Sequence, residues 1–288
     1  MGFGIWPLGF RDSDGCAESS GELMSALPKK SLILDMIPGN LPLEDRFALA
    51  KRAGFEGVEV PPRLDDAGWA GALRAASETS GLPVHSVIFG SGGWGWPHLA
   101  EPEPEKRAQA LENLKKGLRF AKAAGADVLL LVPAAVHAKI RYAEAYERSQ
   151  SGIRQAIPLA EELGVTIGVE VIWNNFLLSP LEFARYVDEF DHPRVRAYFD
   201  VGNIVKNGWP EDWIRTLGRR ICRIHLKDFS RKQYKAVNLG DGDINWKEVR
   251  KALAEAGFAS YLTAEVEGGD EAYLKDLAGR IQKIMDAG

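Results

Sequence analysis

Short apolar runs alternate with longer, amphipathic segments along the chain from about residue 31 onwards. A continuous apolar run is typical of a parallel strand buried on both faces. The longer segments have helical periodicity, and several end at a glycine, as at Gly54 and Gly164, which is a common helix stop signal. The pattern therefore predicts strands at residues 31–36, 56–60, 83–89, 126–132, 165–171, 195–200, 221–226 and 261–266. It predicts helices at residues 42–53, 65–80, 104–124, 142–163, from 180 onwards, and at 210–218, 246–256 and 270–287.

This alternation predicts an α/β fold, because strands separated by helices pair in parallel through right-handed crossovers. Eight strand–helix units are the number that closes a (β/α)8 TIM barrel, which we expect to occupy residues 31–288 as one domain. A doubly wound open sheet is the alternative. It is disfavoured because Ile37-Pro-Gly-Asn40 follows the first strand in place of a glycine-rich dinucleotide turn. Residues 1–30 are rich in glycine and aromatic residues and are predicted to be an N-terminal extension.

Four of the predicted strands end in a side chain that can bind a metal ion. Glu170, Asp200, His225 and Glu265 close the fifth, sixth, seventh and eighth strands. The carboxyl ends of barrel strands carry the active site, so the four side chains should meet there. Three carboxylates do not crowd together without a neutralising charge, so we expect one divalent cation. Hard oxygens with one nitrogen favour Mn²⁺, with Mg²⁺ and Co²⁺ close behind, and Zn²⁺ also accepts this set.

Composition narrows the function classes. The net charge of −4 comes with no dominant basic face, which argues against a nucleic-acid partner. No apolar run is long enough to cross a membrane. Cys16 and Cys222 lie far apart, so a disulfide framework is not expected and a cytoplasmic location fits. We expect a small-molecule partner, and the sequence leaves a homo-oligomer open.

The chain resembles the xylose-isomerase-like barrel superfamily, which contains sugar isomerases and epimerases and shares its fold with endonuclease IV. The resemblance covers about residues 31–288. It depends on six short motifs: Gly54-Phe-Glu-Gly-Val-Glu59, Gly164-Val-Thr-Ile-Gly-Val-Glu170, Phe199-Asp-Val-Gly-Asn203, His225-Leu-Lys-Asp228, Gly240-Asp-Gly-Asp-Ile-Asn-Trp246 and Thr263-Ala-Glu265.

Ketose 3-epimerases look closest in their metal ligands, and the resemblance implies a sugar substrate. It implies that Glu170 and Glu265 act both as ligands and as the acid/base pair, and that Arg231, six positions after the metal histidine, contacts substrate. One departure is Asn203, which stands where those epimerases have a histidine and could donate to a sugar hydroxyl. Another is Trp173-Asn-Asn-Phe176, where they carry a second glutamate.

Moving a proton beside a carbonyl requires a stabilised enediolate and bases within reach of the carbon. A metal-dependent isomerase or epimerase acting on a ketose or keto-sugar meets both needs. A lyase of the same fold that cleaves 3-keto-glycosides by elimination is the main alternative, with His137 as a candidate base. An endonuclease IV-like repair enzyme fits poorly, since Tyr234-Lys-Ala-Val-Asn238 lacks the Asp-x-His pair of that family. A catalytically inactive binding barrel is disfavoured by the retention of all four ligands.

Further candidates for substrate binding follow from their positions in the sequence. His85, placed at the end of the third strand, faces either the barrel mouth or a hydrogen-bonded core position. Lys227 follows the metal histidine and could bind an anionic oxygen, or pair with Asp228 or Glu265. Trp96, with Trp94 in the same glycine-rich loop, offers a flat aromatic face for a sugar ring or packs over the barrel rim.

Overall fold

The computed structural model describes residues 27–90, 96–206 and 208–287. Its central feature is a closed barrel of parallel strands, as predicted from the alternating pattern. The strand order is β1-β2-β3-β4-β5-β6-β7-β10, with β10 pairing back onto β1. An antiparallel hairpin of β8 and β9 follows β7.

The strands are β1 Lys29–Ile33, β2 Gly57–Val60, β3 Val84–Phe89, β4 Val128–Leu131, β5 Thr166–Glu170, β6 Val195–Asp200, β7 Ile221–Leu226, β8 Asp228–Ser230, β9 Lys235–Val237 and β10 Tyr261–Ala264. The α-helices are α1 Leu43–Ala53, α2 Trp69–Ser80, α3 Pro104–Ala124, α4 Tyr142–Leu163, α5 Pro180–Asp188, α6 Val201–Val205, α7 Pro210–Leu217, α8 Trp246–Glu255 and α9 Glu271–Asp286. Short 3₁₀ turns at Leu34–Met36 and Gly218–Arg220 complete the assignment.

Three local features differ from the prediction. β1 begins at Lys29, two residues before the expected domain boundary, and residues 1–26 lie outside the described part of the chain. α6 follows β6 directly, because the Asp200 side chain accepts a hydrogen bond from the Asn203 backbone N–H and caps a short turn. The segment between the predicted strand at 221–226 and the predicted helix at 246–256 was expected to be a loop, and it contains the hairpin of β8 and β9.

Helix ends follow the sequence signals closely. Gly54 and Gly164 adopt left-handed backbone angles, with φ of 100° and 71°, and end α1 and α4. A side chain with a Cβ disfavours this conformation, whereas glycine does not. At the start of α5, the Ser179 hydroxyl accepts from the Glu182 backbone N–H, and Pro180 occupies the first turn. These local stops set the short loops that align all eight barrel strands.

The barrel interior contains both an apolar cluster and a set of buried polar groups. Residues from β3 to β7 form the apolar cluster, comprising Ile88, Val128, Leu130, Val132, Tyr198 and Cys222. The buried polar groups include Ser31, Glu59, His85, Ser86, Arg223, His225 and Thr263. Buried polar groups need hydrogen-bond partners, and several of these residues supply them to one another.

The expectation that His85 binds substrate is wrong, and its core alternative is correct. His85 is the second residue of β3, near the amino-terminal end of the barrel, and is 2% exposed. Its Nε2 lies 2.7 Å from the Ser31 hydroxyl, while Nδ1 accepts from Arg223 Nε at 3.2 Å. The ring also stacks on Tyr261 with centroids 3.9 Å apart. Burial and the Arg223 charge lower the pKa of His85, so it remains a neutral structural group.

In the described residues, none of the helices is both long and apolar enough to cross a bilayer. Cys222 is buried on β7 as a free thiol, and burial raises its pKa to about 11. Cys16 lies outside the described residues.

Candidate metal centre

The four predicted ligands converge at the carboxyl end of the barrel. Glu170 and Asp200 are the last residues of β5 and β6, and Glu265 directly follows β10. His225 lies on β7, where it pairs in register with Asp200. One ligand atom from each of the four residues lies within 4.8 Å of the others. The predicted convergence of three carboxylates and one imidazole is therefore present.

The candidate ligand atoms of the site crowd together in a way that a cation would relieve. Glu170 Oε1, Asp200 Oδ2, His225 Nδ1 and Glu265 Oε2 are buried and form no hydrogen bond of regular geometry, although His225 Nδ1 lies 2.6 Å from Glu265 Oε2 and two of the carboxylate oxygens pair with Lys227. A buried polar atom without a partner costs free energy, on the order of 1–3 kcal/mol for an uncharged group. The four atoms belong to the four residues that converge, so one divalent ion would satisfy them together. The donor set fits a single metal ion.

Below the site, Glu59 fixes the orientation of His225. Glu59 is fully buried, and its Oε2 lies 2.5 Å from His225 Nε2. Its Oε1 accepts from the Tyr198 hydroxyl at 2.7 Å and from the Ser86 hydroxyl. A carboxylate at this position holds the proton on Nε2, so the lone pair of Nδ1 would be available to a metal ion among the four candidate ligands.

The two glutamates of the site have opposite pKa shifts. Burial raises the pKa of Glu170 to about 7, against the opposing effect of His225. Burial also raises the pKa of Glu265, but the neighbouring His225 and Lys227 outweigh it and hold that pKa at about 2. A buried site that separates the pKa values of two carboxyl groups is typical of catalytic centres.

Lys227 and Asn203, two of the residues predicted to bind substrate, lie beside the four candidate ligands. Lys227 Nζ is 2.9 Å from Asp200 Oδ2 and 3.0 Å from Glu265 Oε2, so it pairs with Glu265 as one alternative anticipated. Burial lowers the pKa of Lys227, but the Asp200 and Glu265 carboxylates raise it further, so the ammonium stays charged. The Asn203 side-chain amide donates to the Val171 carbonyl at 3.3 Å.

A cavity of about 670 Å³ opens above the four ligands. Its walls include both glutamates, Asn203 and Lys227, which places two predicted substrate-binding residues at the surface a ligand would touch. The remaining walls are largely apolar and come from several strands and loops: Ile33, Pro61, Ile88, Leu130, Val132, Ile172, Trp173, Phe229 and Ala236. We refer to it as the metal-side cavity.

The prediction that Arg231 contacts substrate is not supported by its position. Arg231 lies between β8 and β9, and its guanidinium stacks on Trp209 with 4.0 Å to the ring centroid. It also donates to the Gly208 carbonyl at 2.7 Å. The side chain is absent from the described walls of the metal-side cavity and packs on Trp209 instead.

His137 and Trp96 line a second cavity of about 900 Å³, which adjoins the first. His137 is exposed on the loop after β4, and Trp96 packs on Phe89 with centroids 5.2 Å apart. Neither contributes to the described walls of the metal-side cavity. Trp94 lies outside the described residues.

Sequence reasoning missed three residues that shape the site. Trp173 borders both cavities, and its Nε1 donates to the Asn203 carbonyl at 2.9 Å. Phe229 and Ala236 reach the metal-side cavity from the hairpin. Trp173 had a signal, since it lies in the loop after the fifth strand, at the end of the barrel where active sites lie. The hairpin residues had none, because the segment carries no apolar run.

Comparison with known proteins places this site in context. A family model described as a xylose isomerase-like TIM barrel matches residues 47–284. The L-ribulose-5-phosphate 3-epimerase of Escherichia coli O1:K1 is 27% identical over 226 residues, covering 74% of this chain and 78% of that protein. Among solved structures, an L-ribulose 3-epimerase superposes with a TM-score of 0.78 at 15% identity, covering 90% of this chain and 95% of the other.

A 3-keto-D-glucoside 4-epimerase from E. coli has the same fold, with a TM-score of 0.75 at 14% identity. The match covers 90% of this chain and 99% of that one. Sugar epimerases therefore recur among the relatives of a chain that carries a four-residue candidate metal site. The length of the family match, together with the closed barrel, shows that this chain belongs to the xylose isomerase-like TIM barrel family.

Proposed function

We propose that this chain is a divalent-metal-dependent sugar isomerase or epimerase that moves a proton beside the carbonyl of a ketose or keto-sugar. The observation that carries the proposal is the convergence of four buried ligand atoms within 4.8 Å of one another, two of them from glutamates that line a substrate-sized cavity. The relationship to a sugar epimerase at 27% identity supports the reaction class.

Glu170, Asp200, His225 and Glu265 would hold the metal ion, with Mn²⁺ as the leading candidate for three oxygens and one nitrogen. A divalent cation held there would act as a Lewis acid and stabilise the negative charge that develops on the carbonyl oxygen. Lys227, paired with Asp200 and Glu265, adds a fixed positive charge at the same edge of the site. Glu59 keeps the proton of His225 on the nitrogen that faces away from the site.

The proton transfer itself falls to Glu170 and Glu265. They belong to β5 and to the end of β10, with β6 and β7 between them, so their carboxylates approach the cavity from different sides. One carboxylate takes the proton from the carbon beside the carbonyl, and the other returns a proton to the opposite face. Return to the same carbon gives the epimer, whereas return to the former carbonyl carbon gives the isomer.

The geometry favours this reaction over its alternatives. His137, the candidate base of a lyase, lines the adjoining cavity rather than the described walls of the metal-side cavity. In the described residues, one group of side chains meets the geometry for a metal ion, whereas the endonuclease family holds three. Both observations support a single-metal sugar enzyme.

Hydrogen exchange in deuterated water tests the proposal. The protein, loaded with Mn²⁺, is incubated with a panel of free ketoses and ring-keto sugars, and deuterium incorporation is followed by NMR. We expect deuterium at a carbon next to the carbonyl of at least one sugar, and no incorporation with Glu265→Gln. Absence of exchange across the panel with metal-loaded, folded protein would contradict the proposal.

A further inference from the structure

The metal-side cavity adjoins a second, larger cavity. The second cavity, lined by Trp96, His98, Glu101, Gln109 and His137 among others, lies directly beside it. Val132, Ile172 and Trp173 line both cavities, so the two spaces adjoin at these side chains. We call the second space the outer cavity. A ligand that passes Trp173 would occupy both.

The outer cavity has room for a separate chemical group. Its volume of about 900 Å³ exceeds the 670 Å³ of the metal-side cavity. Small-molecule sites of about 300–1,000 Å³ hold ligands of drug size, which is larger than one sugar ring. A single ketose placed on the metal ligands would therefore leave the outer cavity unused.

Two imidazoles line the outer cavity, and each is held by a backbone hydrogen bond. His98 Nδ1 accepts from the Ala100 backbone N–H at 3.2 Å, and His137 Nδ1 accepts from the Lys139 backbone N–H at 3.3 Å. An imidazole that accepts on Nδ1 carries its proton on Nε2. His98 is 5% exposed and its Nε2 lies 3.6 Å from Glu101 Oε1, so the exposed His137 is the imidazole that can donate to a ligand.

Acceptors and aromatic surfaces complete this lining. Glu101 and Glu105 offer carboxylate oxygens, and Gln109, whose amide nitrogen donates to Asn113 Oδ1 at 2.9 Å, offers its amide oxygen. Trp173 is 50% exposed, and its indole is held by the hydrogen bond to Asn203 and by an edge contact with Phe229. Neutral donors, acceptors and a fixed aromatic face suit the hydroxyls and the apolar face of a sugar ring.

The charge of the cavities argues against a phosphorylated substrate. In the described walls of the metal-side cavity, Lys227 is the one cationic side chain, and it already pairs with two carboxylates. In the outer cavity Lys106 pairs with Glu103 at 3.3 Å, and Glu101 and Glu105 add negative charge to the same lining. Phosphate recognition uses arginine clusters or backbone N–H groups at a helix start.

We propose that the outer cavity is a subsite for a second, uncharged sugar ring, so that the substrate is a glycoside whose reacting ring carries the ketone. The inference rests on the proposed function, because it takes the metal-side cavity as the place of reaction. The reacting ring lies over Glu170 and Glu265, and the second ring lies beyond Trp173.

Steady-state kinetics with matched substrates test the subsite. The probes are a 3-keto-glucose, its methyl glycoside and a disaccharide in which the same ring is linked to glucose, with a ketopentose 5-phosphate as a fourth. We expect kcat/KM for the disaccharide to exceed that for the methyl glycoside at least tenfold. A gain below twofold, or a preference for the phosphate ester, would overturn the inference.

A double variant probes the lining directly. In His137→Ala/Gln109→Ala, the disaccharide-to-methyl-glycoside ratio of kcat/KM should fall by about tenfold, as expected for the loss of two ordinary hydrogen bonds. Glu147→Gln, an exposed change on α4 outside the described walls of both cavities, should leave that ratio unchanged. An unchanged ratio in the double variant would count against the subsite.

Failure of the subsite can be told apart from failure of the proposed function. If none of the keto-sugars reacts or exchanges hydrogen, the proposed function fails, and binding then tests the subsite by itself. Saturation-transfer NMR with the disaccharide should show transfer to protons of both rings in the wild type, and weaker transfer to the glucose ring in the double variant. Absence of transfer to the glucose ring would refute the subsite.

Discussion

Replacement of Glu59 by glutamine should weaken metal binding although it leaves all four proposed ligands in place. Glu59 is fully buried below His225 and accepts three hydrogen bonds, from His225 Nε2, the Tyr198 hydroxyl and the Ser86 hydroxyl. If the amide nitrogen of glutamine faces His225, two donors meet, and the imidazole moves its proton to Nδ1. That nitrogen is the one that faces Glu170 and Glu265, so the proton would block the ligand atom.

The other amide orientation keeps the histidine tautomer, but the negative charge is still lost. Loss of a hydrogen-bonding partner behind a metal histidine typically costs about 10–100-fold in metal affinity. That range corresponds to about 1.4–2.7 kcal/mol of binding free energy. We expect the Kd for Mn²⁺ to rise within this range.

Isothermal titration calorimetry of the metal-free protein with Mn²⁺ measures this change. Circular dichroism confirms that the variant is folded. Ser86→Ala serves as the matched control, because it removes one hydrogen bond to Glu59 and leaves the contact with His225. The control should change the Kd less than threefold. A Glu59→Gln protein that folds and binds Mn²⁺ within threefold of the wild type would refute the role assigned to Glu59.

Three further changes test other parts of the structure. Glu265→Gln should lower kcat by about 10²–10⁴-fold, the usual contribution of a general acid or base, while the thermal unfolding temperature stays close to that of the wild type. Unfolding of this variant at room temperature would contradict the assignment of Glu265 to catalysis rather than to packing. Asn203→His, at the wall of the metal-side cavity, should shift the relative kcat/KM values among free ketoses, and an unchanged profile would show that this position does not read the sugar. Gly242→Ala should destabilise the fold by about 1–3 kcal/mol in urea unfolding, as overpacking typically does, because a Cβ there would lie 2.0 Å from the buried Asp228 carboxylate. Gly279→Ala on α9, where a Cβ meets open space, is the control and should not destabilise, so equal effects of the two changes would contradict the packing argument.

The barrel and its candidate metal ligands were predictable because their signals are local. Each strand is a short apolar run, and each of Glu170, Asp200 and Glu265 closes one. Strand ends of a parallel barrel share one rim, so the topology alone brings these side chains together. No knowledge of side-chain packing was needed for that step.

Features that depend on distant contacts were not predictable in the same way. The pairing of His225 with Glu59 joins residues 166 positions apart. His85 faces the barrel interior near the amino-terminal ends of the strands, where its ring nitrogens form hydrogen bonds with Ser31 and Arg223. The apolar run around His85 does not reveal this position along the barrel axis. The β8–β9 hairpin also involves contacts between residues distant in the sequence. Buried Asp228, at the start of the hairpin, accepts hydrogen bonds from the Gly240 and Gly242 backbone N–H groups across a long loop.

The metal content of the protein tests the central claim most directly. Metal-free protein titrated with Mn²⁺ in a calorimeter should bind one ion per chain, and Asp200→Asn, which replaces a ligand oxygen at the end of β6, should weaken that binding by at least tenfold. Wild-type protein that is folded and binds no divalent cation, or binds it equally well after Asp200→Asn, would contradict the account.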